Sequence, residues 1–143
     1  MLRIHHTVTV PRPPERVWAV FEQLPAWPKW NPATPRARWL TEGQWRRGAR
    51  AELTLRFKNK RITYQPEVVA ITPNSSVTWV THRFGLTGRH RFTFEPDGHS
   101  TRVTLTETLS GPLLFLYRLV VPPKRIRAMF VQWLEALSTE AQR

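Results

Sequence analysis

Between Gly88 and Leu109 the chain alternates apolar and polar residues through two runs joined by Pro96-Asp97-Gly98-His99, a pattern that specifies an antiparallel β-hairpin. His90, Phe92 and Phe94 share one face of the first strand, while Arg89, Arg91, Thr93 and Glu95 share the other. On the second strand Val103, Leu105, Glu107 and Leu109 face away from Arg102, Thr104, Thr106 and Thr108. A loop from Asp97 to Ser100 sets Phe94 across from Val103 and Phe92 across from Leu105. The same register places His90 opposite Glu107, both on the apolar face. A carboxylate aimed at an apolar interior is costly unless it is paired, hydrogen-bonded or protonated, and the histidine supplies such a partner. Three readings follow from the pair: a lock on the hairpin register, a pair lining a cavity and orienting a ligand carbonyl or hydroxyl, or an acid–base pair.

The rest of the chain reads as strands bracketed by helices. Leu2, Ile4, His6, Val8 and Val10 alternate with Arg3, His5, Thr7 and Thr9, as in a half-buried strand. Pro11-Arg12-Pro13-Pro14 ends it and suits the first turn of a helix, on which Val17, Trp18, Val20, Phe21 and Leu24 form one stripe. Pro25 and Pro28 break that helix, and Trp27-Pro28-Lys29-Trp30 predicts a second short one. From Arg36 onward strands dominate. Ala49, Ala51, Leu53, Leu55 and Phe57 face one way, and Lys58-Asn59-Lys60 turns the chain back through Ile62 and Tyr64. Val68, Val69 and Ile71 cannot share a face without a bulge, which would also bend the sheet. Gly111-Pro112 ends the strands, and Leu113 to Val121 predicts a helix. Pro122-Pro123 kinks it or starts another, with Ile126, Phe130, Trp133, Leu134 and Leu137 as its buried stripe. One α+β domain over residues 1–143 is the expectation.

Four short stretches carry a family likeness: Pro13-Pro14-Glu15-Arg16-Val17-Trp18, Trp27-Pro28-Lys29-Trp30-Asn31-Pro32, Gly88-Arg89-His90-Arg91-Phe92, and Glu107 ahead of Gly111. In this order they resemble the START-like or helix-grip superfamily, which includes the polyketide cyclase and dehydrase group and the plant pollen-allergen proteins. The resemblance implies a curved antiparallel sheet of six or seven strands around a long C-terminal helix, with two short helices after strand one. It also implies a ligand cavity between sheet and helix. The expected function is binding of a small hydrophobic or amphipathic molecule, lipid-, polyketide- or quinone-like. Leu55, Tyr64, Trp79, Phe92, Leu105, Ile126, Phe130 and Trp133 are the expected apolar contacts. His90 and Glu107 would orient one polar group, or act as the acid–base pair of a cyclase- or dehydratase-like enzyme.

Composition narrows the alternatives. The chain has 143 residues and no cysteine, which excludes disulfides, zinc–thiolate and iron–sulfur ligation, and thiol nucleophiles. No serine sits in a nucleophile elbow and no phosphate-cradling glycine loop occurs. His82, His90 and Glu107 are the best two-histidine, one-carboxylate set, yet His82 lies in the opposite strand phase and the spacing matches no metal motif. No metal and no cofactor are expected. Neither a signal-peptide core nor an apolar run long enough for a bilayer is visible, so a cytoplasmic protein is expected.

The net charge of +12 allows a basic surface module for RNA, an anionic membrane or a protein partner. The cations are spread from Arg3 to Arg143, and Arg50, Arg56, Arg89, Arg91 and Arg102 stand on strand faces without stacking rings beside them. That arrangement argues against nucleic acid, whose sheet-based readers expose aromatic rings. A peripheral contact with an anionic membrane stays open, as does the oligomeric state.

Overall fold

In the computed structural model, residues 1–83 and 85–143 are described. Strand β1 (Leu2–Val10) follows the alternation: Ile4 and Val10 are buried while the intervening odd-numbered residues stay exposed. Pro14 opens helix α1 (Pro14–Phe21) at a position where the missing N–H costs nothing, and the helix buries Val17, Trp18 and Phe21. A short 3-10 turn (Leu24–Ala26) and helix α2 (Trp27–Trp30) come next, each again carrying proline in its first turn.

The strands then form two antiparallel sheets. The smaller has the order β2-β3-β4, from Arg36–Trp39, Ala51–Phe57 and Lys60–Tyr64. The larger has the order β1-β8-β7-β6-β5, adding Glu67–Thr72 (β5), Ser76–Arg83 (β6), Leu86–Asp97 (β7) and Ser100–Ser110 (β8). These are eight strands among the described residues, where six or seven were expected. Pro66, which has no N–H to give a ladder, stands between β4 and β5 where one sheet gives way to the other. The sheets still touch there: the Ala51 N–H donates to the Pro66 carbonyl at 3.0 Å. The register shift expected after Glu67 lies between Val68 and Ala70.

Helix α3 (Leu114–Val120) follows β8 and buries none of its residues completely. Pro122-Pro123 ends it and starts α4 (Pro123–Ala141). The predicted stripe of α4 is buried in full, joined by Met129 and Ala141. Helix α4 packs against β1, β3, β8 and α1, so both sheets close around it.

Rings fill one end of the space so enclosed. Phe21 lies 4.8 Å from Phe92 and 5.1 Å from Phe94, Trp27 lies 5.3 Å from Trp133, and Phe92 lies 5.3 Å from Trp133 between ring centroids. These spacings are those of favourable aromatic contacts. Trp45, from the loop between β2 and β3, completes the cluster. It stacks on Trp79 at 6.0 Å and 10°, and its indole N–H donates to the Glu22 carbonyl at 2.8 Å.

Candidate functional site

The hairpin β7–β8 has the register its sequence predicts. His90 pairs with Glu107, Phe92 with Leu105 and Phe94 with Val103. His90 Nε2 and Glu107 Oε2 are 2.6 Å apart, with the two side chains only 8% and 9% exposed. With the proton on Nε2 the imidazole donates to the carboxylate, and Nδ1 is left as a buried lone pair without a partner. The other tautomer would turn an Nε2 lone pair on the carboxylate and leave an Nδ1 N–H without an acceptor, so this tautomer suits the site. Trp79 at 5.9 Å and Phe130 at 6.2 Å wall in the imidazole ring.

Glu107 also faces a cavity of about 300 Å³ at the end of the sheets away from the rings. Its apolar wall comes from Ile62 on β4, Leu86 on β7, Leu109 on β8, and Leu113, Leu116 and Val120 in and beside α3. The polar groups on the wall are Tyr64, Thr81, Arg83, Glu107 and Tyr117. That volume sits at the lower end of ordinary small-molecule sites, about 300–1,000 Å³, and an apolar wall with a few polar groups is their usual make-up.

Two glycines make the space. A Cβ on Gly88 would stand 2.9 Å from Thr81 Oγ1 and 3.7 Å from Glu107 Oε2, so the missing side chain leaves the carboxylate open to the cavity. Gly111 has φ near +125°, and a Cβ there would collide with the Gly85 carbonyl oxygen. This close approach turns the chain from β8 onto α3.

Tyr64 and Tyr117 join β4 to α3 through a hydroxyl–hydroxyl hydrogen bond of 2.7 Å. Burial pushes the Tyr64 phenol well above its usual range, with Tyr117 and the Glu107 carboxylate adding to the effect. Burial raises Tyr117 as well, helped by Glu107 and opposed by the bond to Tyr64. Both phenols therefore hold their protons at ordinary pH. One proton serves the mutual bond and the other is left to donate. Arg83 lies over the Tyr64 ring at 5.9 Å and donates to the Thr63 carbonyl at 2.6 Å, holding β6 beside β4.

The residues expected around a ligand divide between the two ends. Tyr64 and Glu107 line the cavity, and His90 stands behind Glu107. Leu55, Trp79, Phe92, Leu105, Ile126, Phe130 and Trp133 are buried in the packed core and do not line this cavity. The hollow is therefore roofed by α3 instead of running along α4. Tyr117, Leu109, Leu113 and Leu116 were not singled out by sequence reasoning. The signal available for α3 was Tyr117 and Arg118 interrupting an otherwise apolar run.

Among the described residues no three His, Asp or Glu side chains group closely enough to hold a metal ion. No helix among them is long and apolar enough to cross a membrane.

The sequence model of the polyketide cyclase / dehydrase and lipid transport family matches residues 1–142. The chain belongs to this family. Known structures agree on the fold. TTHA0849 from Thermus thermophilus is 18% identical with a TM-score of 0.81, over 99% of this chain and 97% of that one. The Zhui aromatase/cyclase from Streptomyces sp. R1128 is 19% identical with a TM-score of 0.72, over 99% and 94%. The major latex-like protein 151 of Panax ginseng is 13% identical with a TM-score of 0.81, over 99% and 98%. No curated protein matches the chain in sequence. The architecture these structures share with the chain is an antiparallel sheet framework closed around a long C-terminal helix, with short helices after strand one.

Proposed function

We propose that this family member binds one small amphipathic molecule, lipid-, polyketide- or quinone-like, in the cavity beneath α3. The apolar wall supplies affinity by removing ligand surface from water, about 25 cal/mol per Å² buried. Glu107 accepts a hydrogen bond from a ligand hydroxyl, and the spare phenol proton of the Tyr64–Tyr117 pair donates to a ligand carbonyl or ether. A ligand bearing neighbouring donor and acceptor groups satisfies both. One lacking them leaves the carboxylate with His90 as its one partner among the described residues, and the spare phenol proton without an acceptor. The observation that carries this reading is a carboxylate braced from behind by His90 and facing a mostly apolar hollow.

Native mass spectrometry of the purified protein, before and after denaturing extraction, tests it. A discrete adduct is expected, as is saturable binding of N-phenyl-1-naphthylamine that the cavity-filling pair Leu113→Trp and Leu116→Trp abolishes. Probe binding that the filled variant retains would contradict the proposal. The acid–base reading rests on the same carboxylate and on the aromatase/cyclase neighbour. It requires Glu107→Gln to lose turnover of a polyketide-type substrate while keeping probe affinity.

A further inference from the structure

Helix α3 carries large apolar side chains on the face turned away from the cavity. Phe115 is 64% exposed and Leu119 is 77% exposed, one turn apart on the same side. Monomeric proteins seldom leave such groups together in water without a use for them.

The charge around them has one sign. Residues 53–66 and 111–132, which meet at this end of the molecule, hold eight Lys and Arg and no Asp or Glu. Lys60 Nζ donates to the Val120 carbonyl at 3.4 Å, which brings the β3–β4 hairpin against the C-terminal end of α3. Arg56, Lys58, Lys124 and Arg125 share one groove beside it. Glu107, the carboxylate of the cavity wall, is buried against His90.

We infer that α3 and the cations of the β3–β4 turn and the first turn of α4 form a docking face for an anionic lipid bilayer. Phe115 and Leu119 enter the headgroup boundary while Lys58, Lys60, Arg118, Lys124 and Arg125 meet lipid phosphates. Apolar insertion combined with basic residues around it is what an interfacial membrane contact requires. A protein partner fits less well. Helix α3 has seven residues, about 10 Å of helix, whereas a stable protein interface takes about 800 Å² from each side. Because α3 also roofs the cavity, docking sets that roof against the bilayer. The inference itself stands on the surface alone and does not depend on the ligand proposed above.

The test is co-sedimentation with vesicles of phosphatidylcholine alone and of phosphatidylcholine mixed with phosphatidylglycerol. Binding to the mixed vesicles only is expected, weakening as salt screens the cations. Lys124→Gln and Arg125→Gln should each weaken it about fivefold. Phe115→Ser with Leu119→Ser should weaken it at least tenfold, with N-phenyl-1-naphthylamine binding in vesicle-free buffer unchanged. Retained probe binding shows that the variant is folded and separates this result from failure of the cavity reading. Equal binding to both vesicle types, or to neither, overturns the inference. So does sensitivity to the charge variants alone, which would mean diffuse electrostatic attraction. A dimer in sedimentation equilibrium that the serine variants dissociate would make a second copy the occupant, and that outcome also overturns it.

Discussion

The two ends of the space between sheets and helices are built from the same strands and filled in opposite ways. At one end, Trp18, Phe21, Trp27, Trp45, Trp79, Phe92 and Trp133 pack ring on ring, and Phe21, Phe92 and Trp133 are wholly buried. At the other, Leu109, Leu113 and Leu116 face a hollow of about 300 Å³ beneath a helix with no fully buried residue. The His90–Glu107 pair lies at the border, its imidazole against Trp79 and Phe130 and its carboxylate toward the hollow. The proposed function thus assigns stability to one end and recognition to the other, and substitutions should separate the two.

The largest effect is expected at the filled end. Trp133→Ala should destabilise the protein by about 3–5 kcal/mol in denaturant titration, because a large ring leaves a space its neighbours cannot close. Leu116→Ala, at the hollow end and half-exposed, should cost less than about 1 kcal/mol and instead weaken probe binding. Similar losses at both ends would break the contrast. Next is Gly111→Ala, where the positive φ and the Gly85 carbonyl both oppose a side chain. A loss of about 3 kcal/mol is expected there, with the α3 roof misplaced and probe binding lost.

Smaller changes sharpen the border. Glu107→Ala leaves the His90 N–H buried without an acceptor and should cost about 1–3 kcal/mol. The double variant His90→Phe with Glu107→Leu removes both polar groups and should recover most of that stability. It should not recover affinity for a hydroxylated ligand, and a double variant that binds such a ligand normally would reduce the pair to a register lock.

The smallest effects lie in the two phenols. Tyr117→Phe removes one hydrogen bond and should cost about 1 kcal/mol. Tyr64 and Tyr117 are the chain's only tyrosines, so its tyrosinate absorbance reports on them alone. Both are raised by burial, so the folded protein should form tyrosinate only at higher pH than the unfolded chain, whose phenols ionise near about 10. The folded state then holds more protons than the unfolded state above that pH. Stability should be unaffected by these groups below it and fall as pH rises through it.

Periodicity made much of this legible. The hairpin register that brings His90 to Glu107 follows from strict alternation and a short turn, and the stripe of α4 follows from helical spacing. The bulge after Glu67 was visible because Val68, Val69 and Ile71 cannot all lie on one strand face. What alternation reports is inside against outside. It does not report whether the inside is full, so Trp79, Phe92 and Trp133 read as readily as cavity wall as they do as core. Trp45 sits in a loop without periodicity, and its hydrogen bond to Glu22 and its stacking on Trp79 are tertiary facts. The Tyr64–Tyr117 bond joins residues 53 apart in sequence, and neither local pattern names its partner.

The division between the ends is tested most directly by methyl NMR of leucine-labelled protein titrated with N-phenyl-1-naphthylamine. Shifts confined to Leu86, Leu109, Leu113 and Leu116, with Leu24, Leu105, Leu134 and Leu137 unmoved, are the predicted result. Shifts centred on Leu105, Leu134 and Leu137 would place the ligand among the rings and contradict the account.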